Sequence, residues 1–325
     1  MKAAVGRRYG SPDVVTVDEI PTPEPHGDEV RVRVHASPVG IVDSLARRGT
    51  PAYARIHFGL TRPRFPVLGA GFAGQIDAVG PDVTRFADGD QVFGTVGAHF
   101  GAHAQYVCLS EQAAIAPKPT NLSYPEAAAL VDGTPLYYLR HKANLHAGQA
   151  VLINGASGSV GTTAVQLAKH FGATVTGVCG TASTELVDKL GADTVIDYTR
   201  TDFTRGTETY DVIFDVAGTS SFARCRGSLR QDGIYITTAP SLTILSLMAW
   251  TSMVGRRKAV VGFSGLRAPR EKRADLLYTK ELAEAAILLP VIDACYPLRN
   301  MADAYRHVDA GHKKGNVIVT MTEHP

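Results

Sequence analysis

Ala150-Val151-Leu152-Ile153-Asn154-Gly155-Ala156-Ser157-Gly158-Ser159-Val160-Gly161 is the stretch from which the rest of the chain is best read. Its first four residues are an unbroken apolar run, as expected of a strand covered on both faces. Val160, Ala164, Leu167, Ala168 and Phe171 then recur at the spacing of one helical face. The turn between them has GxxGxxG spacing rather than the commoner GxGxxG. Gly158 lets the backbone come close to an anion, and Gly161 lets the helix pack close to the strand. The helix N-terminus adds outward N–H groups and a partial positive charge. Strand, turn and helix together predict that the segment from Gly155 through Ser157 and Gly158 to Gly161 cradles a dinucleotide pyrophosphate. A tight turn of purely structural purpose is the competing reading.

The same grammar continues downstream. Thr174–Val178, Thr194–Ile196, Asp211–Phe214 and Gly233–Thr237 read as strands, with a helix over Ser183–Leu190. Repeated strand–helix units with apolar strands predict a parallel sheet with both faces covered. Before residue 120 the chain is β-rich and turn-rich. Val30, Val32 and Val34 alternate with Arg31, Arg33 and His35, and glycines recur at 69, 71, 74, 80, 89, 94, 97 and 101. Ser123 and Glu126 have capping-box spacing ahead of an alanine-rich helix over Glu126–Val131. Near the end, helices are expected over Glu271–Leu289 and Met301–Asp309, and a strand over Asn316–Thr320.

Composition excludes several classes. The 325 residues carry 33 basic and 31 acidic side chains, a formal charge of +2, which supplies no field for nucleic acid. Cys108, Cys179, Cys225 and Cys295 are too far apart in sequence for a disulfide framework or a zinc ribbon. That usage, and Arg7 and Arg8 in place of an apolar signal core, predict a cytoplasmic protein. Residues 233–255 hold no charge, but Pro240 and several hydroxyl residues interrupt them. They predict a strand, a loop and an apolar helix over 242–254 that covers the fold or meets a second subunit, rather than an integral membrane span. Contact with a membrane surface stays open, because Arg256, Arg257 and Lys258 follow.

The tip of the second strand speaks to cofactor choice. An Asp or Glu there would bind the ribose hydroxyls of NAD. The residues are instead Cys179-Gly180-Thr181-Ala182-Ser183-Thr184. Hydroxyls can donate to a 2′-phosphate, so NADP is favoured over NAD. No Lys or Arg sits in that loop, and Arg200 in the next one is the candidate for the missing charge.

The fingerprint, Gly191-Ala192-Asp193-Thr194-Val195-Ile196-Asp197-Tyr198 and Gly311-His312-Lys313-Lys314-Gly315-Asn316-Val317 together resemble the medium-chain dehydrogenase/reductases. The nearest branch is that of the zinc-independent quinone oxidoreductase-like reductases. Pro66-Val67-Leu68-Gly69 and Gly89-Asp90-Gln91-Val92-Phe93-Gly94 extend the likeness over nearly the whole chain. The resemblance implies an α/β fold: a Rossmann domain over 121–260, inserted in a GroES-like catalytic domain made of 1–120 and 261–325. It also implies a cleft active site and a homodimer joined through edge strands. Ser159 and Val160 would line the pyrophosphate, and Thr181, Ser183 and Tyr198 would surround the adenosine 2′-phosphate. Phe263 and Asn316 would approach the nicotinamide, with Thr134 close to its ring.

Departures from the family shape the chemistry. Zinc members carry a Cys in the segment matching Val39–Asp43 and a His-Glu pair where this chain has Ala70 and Gly71. No set of three ligands is evident, so no zinc is expected. Quinone reductase relatives often carry Asn-x-x-Asp-x-Tyr, where this chain has Gly40, Asp43 and Leu45. Asp43 would organise its loop or position a substrate. Without a Lewis acid, reduction of a small electrophile is favoured over alcohol oxidation. The proton would come from solvent, Tyr53 or Tyr137. The leading expectation is NADPH-dependent reduction of quinones, enones or related activated carbonyls. The alternatives are a cofactor-binding scaffold or sensor and a tailoring enzyme for one specialised metabolite.

Overall fold

The computed structural model describes residues 1–321. It divides into two compact units, Met1–Asp132 with Gly265–Ala286 and Pro290–Pro325, and Gly133–Ser264 with Ile287–Leu289.

In the first unit the alternating valines build a seven-stranded sheet around the strand Glu29–Val39. Val30, Val32 and Val34 face a core with Phe72, Ile76, Ile115, Met301, Tyr305 and Val317. Register is lost between Val34 and Ala36, which pair with Gly74 and Ala73. That bulge turns Ala36 to the opposite face. There it joins Ala73, Phe93, Ala127, Ala128 and Leu276 in a second core.

This second core moves the seam. The helix Tyr124–Ala128, capped by Ser123 and Glu126, buries Ala127 and Ala128 in the first unit. The compact units therefore divide at Asp132/Gly133 and Ser264/Gly265, where the sequence suggested 120/121 and 260/261. The helix expected over Glu271–Leu289 runs Pro269–Glu284. Ala286 takes a positive φ of 54°, and Ile287–Leu289 join the second unit. The reason is Gln166, whose side-chain amide donates to the Leu289 carbonyl (3.0 Å) and accepts from its N–H (2.8 Å).

In the second unit the six strands Thr194–Asp197, Thr174–Cys179, Ala150–Asn154, Tyr210–Asp215, Leu229–Thr237 and Lys258–Val261 lie in that spatial order. All are parallel. The order is 3-2-1-4-5-6, the doubly wound arrangement. Leu152, Val178, Ile213 and Tyr235 are part of its core. The helix Leu242–Met253 buries only Ile244 and Thr251 and leaves Leu242 and Met253 exposed. Among the described residues no helix is long and apolar enough to cross a membrane. All four cysteines are free.

Candidate functional site

The loop after Asn154 lies at the point where strand order reverses, between Ala150–Asn154 and Tyr210–Asp215. Ligands of doubly wound sheets bind there, beyond the carboxyl ends of the strands. Each glycine of the loop has its own reason. Gly155 has φ +88°, and a Cβ there would sit 3.1 Å from Ala217. A Cβ on Gly161 would lie 2.1 Å from the Gly155 carbonyl oxygen, so only glycine lets the helix Ser159–His170 approach. Gly158 differs, because a Cβ there would meet nothing nearer than 3.7 Å. No close contact requires a glycine there, and its lack of a side chain leaves the place that a diphosphate would fill. Gly158 is also the N-cap, and the first bond up the helix is from Thr162 N–H to its carbonyl. The amides before Thr162 thus have no intrahelical acceptor. The loop fits a dinucleotide.

Two residues to which the sequence reading gave no role hold this corner together. The fully buried Asp215 accepts from Asn154 Nδ2 (2.8 Å), Gly218 N (3.0 Å), Ser220 N (3.0 Å) and Tyr235 Oη (2.9 Å). Asn154 Nδ2 also donates to Thr219 Oγ1 at 3.1 Å. The 216–220 turn is thereby pinned against the glycine loop. An acidic residue ending the apolar run Val212-Ile213-Phe214, three residues before Gly218, was the available signal.

Thr134, Tyr137 and Phe263 come together on the same unit. Thr134 Oγ1 lies 3.0 Å from Ser264 Oγ. Tyr138 Oη donates to the Gly262 carbonyl (2.6 Å) and accepts from its N–H (3.0 Å). The Tyr137 ring lies beside Gly262, where a Cβ would sit 2.7 Å from it. Tyr138 packs on Phe214, ring centroids 5.2 Å apart, which joins this patch to the Asp215 corner. The turn over Tyr137–Lys142 is π-helical, an irregularity frequent at functional sites. Phe263 is exposed.

Beyond the tip of the strand Thr174–Cys179, Tyr198 lies over Gly180, whose Cβ would sit 3.3 Å from the phenol oxygen. Ser183 is buried. The Thr181 hydroxyl donates to Asp197 at 2.5 Å. Arg200 Nε approaches the same carboxylate at 3.5 Å.

The remaining candidates belong to the first unit. Tyr53 is exposed on a short turn. Asn316 is buried, and its side-chain amide donates to the Val291 carbonyl at 3.1 Å. Asp43 is buried on the helix Ile41–Arg48, accepting from Gly40 N (2.8 Å) and Gly69 N (3.1 Å). Both oxygens thus tie the helix start to the Gly69 turn. Burial raises its pKa, against the pull of His103 and the two amides. The segment Val39–Asp43, where zinc members carry a Cys, has none, and Ala70 and Gly71 stand where they carry a His-Glu pair; a Cβ at Gly71 would sit 2.5 Å from Val131. Among the described residues no group of three or more His, Cys, Asp or Glu could hold a metal ion. These residues do not fit zinc.

His103 beside Asp43 carries a pH prediction. Its Nε2 donates to the Pro38 carbonyl (3.2 Å), and Tyr305 Oη lies 3.4 Å from Nδ1. Burial depresses its pKa below the ordinary 6.5, partly offset by Asp43. Below 6.5 the unfolded chain takes a proton that the folded one resists, so this stability is full above pH 6.5 and lost as pH falls. Asp43, with its pKa raised, works in the opposite sense, losing stability as pH rises above 3.8. His103→Gln keeps a donor for Pro38 and is expected to flatten the fall of melting temperature between about pH 6.5 and 5. An unchanged slope would remove His103 as its cause.

Residues 26–120 match the family described as alcohol dehydrogenase GroES-like domain, and residues 190–319 the one described as zinc-binding dehydrogenase. A chloroplastic quinone-oxidoreductase homolog of Spinacia oleracea is 30% identical, covering 95% of each chain. A chloroplastic NADPH-dependent alkenal/one oxidoreductase of Arabidopsis thaliana is 30% identical over 98% of this chain and 79% of its own. The solved quinone oxidoreductase from Coxiella burnetii superposes with a TM-score of 0.87 at 27% identity, covering 99% of both chains. With a GroES-like unit and a doubly wound nucleotide unit matched end to end by such relatives, the chain belongs to the medium-chain dehydrogenase/reductase superfamily, in its quinone oxidoreductase-like branch.

Proposed function

We propose that this protein is an NADPH-dependent oxidoreductase that reduces quinones, enones or related activated carbonyl compounds without a metal ion. The observation that carries the reading is Gly158, a glycine that no close contact requires, in a loop whose other glycines are required by backbone contacts. The names of the relatives, which include a quinone-oxidoreductase homolog and an alkenal/one oxidoreductase, support the substrate class. A bound nicotinamide would supply a hydride; the protein supplies orientation and a dry surface. Gly158 and the helix N-terminus hold the diphosphate. Thr134 and Phe263 bracket the nicotinamide end. Asp43 positions its loop rather than moving a proton, because both of its oxygens already accept backbone amides.

Tyr137 is the better of the two tyrosine candidates, since it shares the patch of Thr134 and Phe263 on the nucleotide unit. Tyr137→Phe is expected to lower kcat for an enone by about a hundredfold while nucleotide affinity stays put. A variant with unchanged kcat would leave the proton to Tyr53 or solvent. The reading as a whole is checked by following NADPH oxidation with a panel of quinones and α,β-unsaturated ketones. Tight NADPH binding with no turnover on either class would favour the scaffold or sensor alternative. A cytoplasmic homodimer completes the reading, supported by the four free thiols and by the single-partnered strand Lys258–Val261 at the sheet edge. Light scattering on the purified protein measures its mass.

A further inference from the structure

Resting on the reading that the loop after Asn154 binds a pyridine dinucleotide, we propose that Asp197 sets the specificity of the adenosine end. It holds down the preference for a 2′-phosphate by occupying Thr181 and Arg200.

The fold brings a carboxylate where the local sequence shows none. The tip of the strand Thr174–Cys179 carries no acidic residue, which favours a 2′-phosphate. In the sheet, however, Asp197 is the register partner of Cys179 on the neighbouring parallel strand. Its side chain therefore stands beside the position from which an acidic residue reads ribose hydroxyls.

Its hydrogen bonds show that it commands this corner. One oxygen accepts the Thr181 hydroxyl at 2.5 Å, and the other accepts Thr199 Oγ1 (2.7 Å) and Thr199 N (2.9 Å). Thr181 and Thr199 also touch each other through their hydroxyls at 3.2 Å. Thr181, the hydroxyl that a phosphate would use, is thus already spent. The Thr181 and Thr199 hydroxyls hold the Asp197 carboxyl below its usual range, so it stays an anion at any working pH. Arg200 is the cation of this loop, and its guanidinium lies 3.5 Å from the same carboxylate. Across the next turn Glu185 and Lys189 pair with each other at 2.6 Å. The local charge therefore sums to about zero.

A 2′-phosphate, carrying roughly −1.5 to −2 charges at neutral pH, would approach an anion and would have to win Arg200 from it. A free ribose diol has no such conflict, and its hydroxyls can donate to the carboxylate. Tyr198, lying over Gly180, offers its ring face to either adenosine. The site accepts both nucleotides with a shallow preference, and Asp197 is what makes it shallow.

Calorimetry on the full-length protein with 2′-phospho-ADP-ribose and ADP-ribose tests this. Neither probe contains nicotinamide, so binding is read apart from turnover. Asp197→Asn keeps groups able to bond Thr181 and Thr199 but removes the charge. Its ratio of affinities, phosphorylated over unphosphorylated, is expected to rise about tenfold, with the gain shrinking as salt is added. Arg200 is exposed, so Arg200→Gln gives an independent arm should Asp197→Asn fail to fold. It is expected to weaken the phosphorylated probe several-fold more than ADP-ribose. A ratio that stays level or falls in Asp197→Asn overturns the proposal, as does an Arg200→Gln variant that weakens both probes equally. A wild type that already prefers the phosphorylated probe by about a thousandfold overturns it too. If the folded wild type binds neither probe, the dinucleotide reading itself fails and takes the proposal with it. That outcome is distinguishable because no variant is needed to see it.

Discussion

Gly161→Ala is expected to lose both stability and nucleotide binding, and Gly158→Ala to lose binding alone. At Gly161 the added carbon would lie 2.1 Å from the Gly155 oxygen and 2.8 Å from two Ala156 backbone atoms. Backbone atoms at the root of a helix cannot swing aside as a side-chain end can. The helix Ser159–His170 must shift from the sheet, at a cost of about 3 kcal/mol. In a unit of this size the melting temperature should fall by roughly 6–12 °C. At Gly158 the nearest atom is 3.7 Å away, and φ −79°, ψ 177° suits any residue. The methyl group costs the fold little but stands where the diphosphate would come. Affinity for ADP-ribose should drop by about a hundredfold, roughly 2.7 kcal/mol, with the melting temperature nearly unchanged. Wild-type affinity in Gly158→Ala would mean that this loop is only a structural turn.

Asp215→Ala should be the most damaging single change to a polar residue of the nucleotide unit. Four donors, the buried Asn154 and Tyr235 side chains and the partly buried amides of Gly218 and Ser220, would lose their acceptor together. Each buried donor left unsatisfied costs about 1–3 kcal/mol. Tyr235 Oη can rotate and Asn154 still has Thr219 Oγ1, so the total should settle near 4 kcal/mol. Asp215→Asn is the informative companion. Its amide nitrogen must face either the Gly218 and Asn154 donors or the Ser220 and Tyr235 donors, and neither N–H of the turn can turn away. It should cost about 2 kcal/mol and loosen the 216–220 turn against the glycine loop, weakening ADP-ribose binding. Because the chain holds two units, the midpoint belongs to the transition of the nucleotide unit and not to a single two-state event. Hydrogen exchange at Gly218 and Ser220 reads the loosening directly. Wild-type stability in Asp215→Ala would show that this turn is held by something else.

Much of the architecture was legible because it is local. The run Val151-Leu152-Ile153, the glycines behind it and the helical spacing after it announce strand, turn and helix within a single short window. Ser123 and Glu126 announce a cap at a separation of three, and both hydrogen bonds of that cap are present. Met301–Asp309 and Asn316–Thr320 likewise run as expected. The elements that differed are those settled by distant partners. Helix periodicity continues past Glu284, yet the chain leaves the helix there because Leu289 is claimed by Gln166, 123 residues away. The helix after Ser123 looks like the start of the nucleotide unit until Ala127 and Ala128 are seen against Ala36 and Phe93.

The sequence alone determined the order of strands and helices, the glycine loop and its place between strand and helix, and the lack of a Cys in the segment 39–43 and of a His-Glu pair at 70 and 71. These depend on neighbours in the chain, on the residue types present and on the hydrophobic period, which are written directly in the residues. Only the tertiary structure decided what the polar groups do. Whether Thr181 is available, what Asp215 holds and where Asp43 spends its oxygens depend on which strand lies beside which. Strand adjacency is a property of the folded sheet, and hydrogen-bond acceptors at its carboxyl ends are shared out only once that sheet exists.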